Sequence, residues 1–400
     1  MPGPMEGIRV VEMGVWVAGP SAAVVLCDWG AEVIKIEPAE GDPFRGLAAG
    51  FGDDDAAMPP PFEIDNRGKR SITLNLRTDE GIEIAKRLID DADVFVTNMR
   101  PGGIARMGLD YDSVQERNPR LIYAQVTGYG LDSPDEDRAS FDVGAFWARA
   151  GVAAAITAPG ADLPLQRGGM GDHTTGSQAA GAVAAALFAR ERSGEGQLVT
   201  ASLVRTGVYT LAWDLNTALR TGEAPQPMER DTFPNPLILS YQLKGGKWIW
   251  LLMLQGDRHW PDFCRAVEHE EWMQDDRFTS LMDRAINAAP LIHEIEQVLA
   301  ERTAEQWAEV FDRENVWWAP VQTLAEVVAD PVVEASGAWV DVPLPDGPAK
   351  MVASPVDFHG TPWAPTAGAP ELGQHTEEVL LELGYDWEGI GKLRDAGSLG

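Results

Sequence analysis

One carboxylate stands out by its surroundings. Asp172 lies in the run Gly168-Gly169-Met170-Gly171-Asp172-His173-Thr174-Thr175-Gly176, just ahead of an Ala-rich stretch with helical character. The glycines remove side-chain bulk, so a ligand can approach the backbone closely. The start of a helix carries unpaired N–H groups that favour negative charge. A carboxylate placed there can attack an activated carbonyl, because Asp is an accepted covalent nucleophile. The same position also suits an N-cap for a helix over 174–192. Residue pattern alone leaves both roles open and makes the cap the plainer one.

A second set of residues suggests an anion. Arg67, Lys69 and Arg70 are followed by Arg77, then by Arg100 and Arg106, in a chain with 62 acidic and 32 basic residues and a net charge of −30. Arg suits phosphate through its planar fork. Arg100 follows a strand ending at Asn98 and precedes Pro101-Gly102-Gly103. Loops at the carboxyl ends of parallel strands are where α/β sheets take their ligands. The cluster reads as an anion site or as solvated surface charge, and for any single Arg surface charge is the plainer reading.

Other chemistries lack their residues. No GxGxxG follows the first strand, no GxxxxGK[ST] loop occurs, and there is neither HExxH nor GxSxG. The six His and the two cysteines, Cys27 and Cys264, make no metal-ligand spacing, so no metal is expected. The strong negative charge argues against nucleic acid and against anionic membrane surfaces. No apolar run reaches spanning length and the N-terminus has no signal-peptide pattern, which points to the cytoplasm.

Alternating elements must position these residues. Segments 8–13, 32–37, 94–98 and 121–128 read as strands, and 18–29, 78–91 and 111–117 as helices. Strand–helix alternation implies an α/β domain with a mainly parallel sheet. Helices are expected over 141–150, 174–192 and 201–219. In the second, Gly176, Ala180 and Ala184 fall on one face that another backbone could approach. Residues 225–236 turn rich in Pro, Glu, Asn and Thr, as a linker would. Beyond them, two β-rich runs flank Gly245-Gly246 as a hairpin. Helices at 258–269, 289–301, 303–315 and from Leu324 complete a smaller α+β domain. From Trp339 short strands return, followed by a helix over 376–383. The expected division is 1–222 and 331–400 for a large domain and 223–330 for a small one.

These stretches together resemble the family III CoA-transferases, the group that includes formyl-CoA transferase, carnitine CoA-transferase and alpha-methylacyl-CoA racemase. The resemblance is carried by GIRVVEMGVWVAGPSAAVVLCDWGAEVIKIEPAEGDPFR, NRGKRSITLNLRTDEG, DVFVTNMRPGGIARMGLDY, NPRLIYAQVTGYG, GMGDHTTG and LGQHTEEVLLELG, in family order from residue 7 to about 384. It implies a large domain with a parallel, Rossmann-like sheet built from both chain ends, a smaller domain between, and an interlocked homodimer. It implies that Asp172 attacks an acyl-CoA carbonyl and forms a mixed anhydride, from which coenzyme A is passed to a free carboxylic acid. By the same resemblance Ala18, Leu74, Asn75, Arg77, Asn98 and Arg106 contact coenzyme A.

The departures narrow the expectation. Trp16 and Val17 stand where formyl-CoA transferase carries Val-Gln, which removes an amide and argues against the smallest acids. Pro38 replaces a basic residue of that enzyme, and its tetraglycine loop has no counterpart. The segment YQLKGGKWIWLLMLQGDRHW is more similar to transferases of larger acids, such as the phenyllactate and hydroxyisocaproate enzymes. Trp16, Trp147 and Trp248 are candidates for an apolar acyl lining. Phe141 occupies the racemase's His position, and Phe moves no proton. Racemase-type 1,1-proton transfer, with His173 as a substitute base, is the second reading. A CoA-binding subunit without turnover is the third.

Overall fold

Strand β1 (Arg9–Met13) is apolar apart from its ends and Glu12, as a strand covered on both faces should be. It pairs in parallel with β2 (Glu32–Glu37) on one side and β4 (Val94–Thr97) on the other. β3 (Arg70–Thr73) extends the sheet beyond β2, while β5 (Ile122–Thr127) and β6 (Gln197–Ser202) extend it beyond β4, giving the order β3-β2-β1-β4-β5-β6. All five pairings are parallel. The computed structural model from which these elements are taken describes residues 3–50 and 58–400.

Alternation along each strand builds two cores. Val10, Val33, Val94 and Val96 pack on one face with α1 (Ala18–Asp28) and the long Met170–Ser193 helix. Val11, Ile34, Phe95 and Tyr123 pack on the other with Asp79–Asp90 and the C-terminal helices Thr376–Glu382 and Trp387–Asp395. Each fully buried Val, Ile or Phe contributes roughly 1.5–3 kcal/mol, so these faces hold the sheet between two helical layers.

The expected sheet from both chain ends is corrected: its six strands all come from residues 9–202. The C-terminal stretch adds an isolated bridge, Leu74 to Leu399, and a separate hairpin, Trp339–Val342 with Ala349–Val352. β6 was not expected: QLVTAS is a half-polar edge strand lying mostly between the helices expected over 174–192 and 201–219, and the second helix begins only at Leu203. The helix then breaks at Leu211 into Leu203–Thr210 and Ala212–Thr221. The helix expected over 141–150 is wound as a π-helix from Val143 to Arg149.

By internal contacts the chain divides into two units. One comprises Met1–Ile156, Leu163–Pro225 and Gly337–Gly400; the other comprises Thr157–Asp162 and Gln226–Ser336. The second has its own core around Tyr241, Ile249, Phe263, Ile292 and Trp307. Its hairpin, Ser240–Gln242 with Trp248–Leu251, turns at Gly245 and Gly246, both at positive φ (89° and 86°). A third strand, Trp318–Val321, pairs on the far side. No described helix is long and apolar enough to cross a membrane.

Candidate active site

The strand order reverses between β1 and β4, so the loops after these two strands diverge and leave a crevice at their carboxyl ends. A buried charge lattice fixes the first loop. Glu12 and Lys35, paired across β1 and β2, lie 2.8 Å apart, and Lys69 reaches the other Glu12 oxygen at 2.6 Å. Burial works against the Glu12 charge, but the two ammonium groups outweigh it and hold its carboxyl below the ordinary range. Lys35 also binds Asp42 at 3.1 Å, and Asp42 accepts the backbone N–H of Trp16 at 3.0 Å. Trp16 sits at φ 62°, a left-handed conformation costly for a bulky residue, and this hydrogen bond helps hold it. From the second loop, the Asn98 amide clamps Val15, accepting its N–H at 3.0 Å and donating to its carbonyl at 2.8 Å.

The third wall is the start of the helix Met170–Ser193. This helix begins four residues earlier than expected, after a left-handed turn at Gly169 (φ 78°). Asp172 therefore lies in the first turn and makes no capping bond, which corrects the N-cap reading. Asp142 serves that end instead: it accepts the Gly171 N–H at 3.0 Å and the Gln166 amide at 2.7 Å. A Cβ on Gly171 would come within 2.3 Å of Phe146 and 2.4 Å of Asp142, so only glycine lets the helix start against these two side chains. Further along, a Cβ on Gly176 would come within 2.0 Å of the Ser21 hydroxyl. The small-residue face thus lets α1 approach, as its spacing predicts.

Burial, and then the negative charge of Asp142, push the Asp172 carboxyl up to about 7; Asp65 adds to the rise, and His173 opposes it. Near neutral pH such a carboxyl is poised between its two forms, and perturbation of this kind in a cleft marks functional residues. Asp172 lines a cavity of ≈ 550 Å³ with Trp16, Ala18, Asn98, Phe141 and Leu203. The Trp16 ring meets Phe141 edge-on at 5.6 Å and Phe44 at 6.0 Å, an aromatic wall beside the carboxylate. Arg100 and Arg106 line the same cavity, and no hydrogen bond or ion pair engages their guanidinium groups among the described residues.

Of the residues singled out from sequence, the structure brings Asp172, Ala18, Asn98 and Arg106 to one cavity. Leu74, Asn75 and Arg77 lie outside its lining, after edge strand β3. Leu74 is fully buried, and Asn75 donates to the Gly397 carbonyl at 2.8 Å. Arg67, Lys69 and Arg70 are corrected: they form no anion site. Arg67 is locked to Asp28 at 2.6 Å, Lys69 to Glu12, and Arg70 to Glu32, Glu378 and Glu382. Trp147 is buried and Trp248 belongs to the second unit, so Trp16 alone of the three tryptophans lines this cavity. His173 is not among the lining residues; its Nε2 lies 3.0 Å from the buried Asp65. Sequence reasoning missed Asp142 as the cap and Asp65 as the histidine's partner. The only signal for Asp142 was its place beside Phe141. Among the described residues no group of His, Cys, Asp or Glu is arranged to hold a metal ion.

Comparison with known proteins agrees across the whole chain. The model of the family described as CoA-transferase family III matches residues 5–376. The chain is 33% identical to the (R)-2-hydroxy-4-methylpentanoate CoA-transferase of Clostridioides difficile, over 98% of both chains. It is 31% identical to the cinnamoyl-CoA:phenyllactate CoA-transferase of Clostridium sporogenes, over 97% of this chain and 95% of that one. It is also 31% identical to the formyl-CoA:oxalate CoA-transferase of Shigella sonnei, over 98% of both. Among solved structures, a CAIB/BAIF family protein from Brucella suis superposes with a TM-score of 0.84 at 29% identity, over 96% of this chain and all of that one.

Proposed function

The chain belongs to CoA-transferase family III and is a CoA-transferase, and from that premise we propose that it moves coenzyme A from an acyl-CoA thioester to a free carboxylic acid through a mixed anhydride on Asp172. The observation that carries the reading is the placement of Asp172: a half-buried carboxyl in the first turn of a helix, lining a cavity at the point where the strand order reverses.

The chemistry balances without a proton. An oxygen of ionised Asp172 attacks the thioester carbonyl, the C–S bond breaks, and CoA thiolate leaves an aspartyl–acyl anhydride. The acceptor carboxylate attacks the aspartyl carbonyl and expels the first acid, giving a second anhydride. The thiolate then attacks the new acyl carbonyl and Asp172 leaves as carboxylate. Each addition places negative charge on a carbonyl oxygen, which N–H donors at a helix start can stabilise. Within the family reading, Arg106, with Arg100 beside it, faces the anionic part of coenzyme A, Ala18 lies against it, and Asn98 holds the loop that borders it. Leu74, Asn75 and Arg77 would meet it farther along the sheet edge.

The Trp16–Phe141 wall favours an acyl group with an apolar body over formate or oxalate. Phe141 also stands where the racemase-type alternative needs its histidine base. We read the active protein as a homodimer: Ala212–Thr221 buries none of its residues, and Trp213 and Leu219 are 88% and 85% exposed, an apolar surface suited to a second copy. Both cysteines are free thiols, in keeping with the cytoplasm. Incubation with an acyl-CoA and hydroxylamine tests the mechanism. Asp172 should become a hydroxamate detectable by peptide mass spectrometry. Full activity in Asp172→Asn, or label only elsewhere, would sink the proposal. A panel of acyl-CoA donors and carboxylate acceptors then identifies the acids.

A further inference from the structure

We propose that His173, anchored by Asp65, is a positioning residue whose charge favours the carboxylate form of Asp172. The inference rests on the reading of Asp172 as the nucleophile. The geometry is specific. Asp65, 1% exposed on the helix Pro60–Asn66, meets His173 Nε2 at 3.0 Å. On its other side the imidazole is wedged under the left-handed turn. A Cβ on Gly169 would stand 2.9 Å from both Cε1 and Nδ1, so glycine there makes room for the ring. The ring is thus held between Asp65 and Gly169 and takes no part in lining the cavity. It acts on Asp172 through its charge and not as a base.

The charges that bear on Asp172 are those of Asp142, Asp65 and His173. Asp142 presents a second carboxylate from the segment before the π-helix, and Asp65 a third from the Pro60–Asn66 helix. From α1 the contact is neutral: the Ser21 hydroxyl donates to the Asp172 carbonyl at 3.5 Å. The cavity also carries the charges of Arg100, Arg106 and Arg138 and of Glu136 and Asp137. Lys69, behind Asp65, is taken up by Glu12. His173 is therefore the cation next to the nucleophile in sequence and on its own helix. Burial works against the imidazolium, but the bond to Asp65 and the charges of Asp65, Asp172 and Asp142 outweigh it, and the ring's pKa rises. The His173 side chain is 47% exposed, so water weakens its field on Asp172.

Two measurements on the full-length protein test the pair. The first is the pH dependence of hydroxylamine trapping in the wild type and in His173→Gln. The acidic limb should move to higher pH by about 0.5–1 unit, lowering the rate about three- to tenfold at pH 6.5 while the two proteins converge at pH 9. An unmoved limb, with or without a uniform loss of rate, overturns the proposal, because a merely structural role lowers rate at every pH. The second is NMR titration of the His173 ring, assigned among the six His by the His173→Gln spectrum. Coupling is reciprocal, so the midpoint should fall in Asp172→Asn and again in Asp65→Asn. A midpoint indifferent to Asp172→Asn overturns it. If the ring responds but Asp172 is never labelled, the pair stands and the anhydride mechanism falls. If Asp172 is labelled with an unmoved limb in His173→Gln, the mechanism stands and the pair falls.

Discussion

Replacing the nucleophile should make the protein more stable, and increasingly so as pH rises. Asp172 has a carboxyl pushed from 3.8 to about 7, first by burial and then by Asp142. Between these values the native chain keeps a proton that the unfolded chain has released, so native stability falls as pH climbs through that window. Above both values the full effect is about 4 kcal/mol against folding, at 1.36 kcal/mol per pH unit. The cavity admits water to Asp172, and screening reduces this to about 2 kcal/mol. Asn is nearly isosteric and does not ionise. The stability of Asp172→Asn should therefore exceed that of wild type by a margin that grows by about 1–3 kcal/mol from pH 5 to pH 8. In melting temperature that growth is about 2–8 °C for a unit of this size. Scanning calorimetry of both proteins across the pH range reads it directly. The trend is the test, because any fixed packing difference between Asp and Asn is independent of pH. A gap that is constant, or narrows toward pH 8, would refute the claim that ionised Asp172 is held at a cost.

Three further outcomes follow from named contacts. Lys35→Met leaves Glu12 and Asp42 facing each other without their shared ammonium, and should cost about 3–5 kcal/mol in urea unfolding, with a shift in Trp fluorescence as the Trp16 loop loosens. Asp142→Asn keeps an oxygen for the Gly171 N–H but removes the neighbouring charge, so the acidic limb of hydroxylamine trapping should move to lower pH, opposite to His173→Gln. Arg106→Ala should raise KM for acyl-CoA about tenfold without moving that limb, and the wild-type advantage should shrink as salt is added. An unchanged KM would remove Arg106 from the coenzyme A site.

What could be read from sequence was what local pattern carries. β1, β2, β4 and β5 are short apolar runs bounded by turns and helices, and their parallel pairing follows from the connections between them. The glycines around Asp172 were legible because each removes a side chain where something else must fit, as Gly171 does against Phe146 and Asp142. What local pattern does not carry was missed or misread. Asp142 caps its helix from 29 positions earlier, a distance no capping motif encodes. Arg67, Lys69 and Arg70 read as one cluster, yet their partners lie at Asp28, Glu12 and the far C-terminal helix, where only the folded chain brings them. β6 and β3 sit at the sheet's edges, where a strand is half polar and loses the apolar signature of its neighbours.

The cap and the nucleophile compete for one helix end. The N-terminal turn of Met170–Ser193 offers N–H groups and a positive field, which taken alone would stabilise an ionised Asp172 and make it inert. Asp142 occupies that end first, taking the Gly171 N–H and setting a fixed negative charge beside the carboxyl. Asp172 is left in the first turn with its stabilisation shared and its hydration reduced, which raises its basicity and its readiness to attack. A carboxylate that must both attack a thioester and later depart from an anhydride cannot be held too firmly as an anion or as an acid. Opposed charges from Asp142 and His173 place it between those limits, which is why substitution of either should move the same limb of the pH profile, in opposite directions.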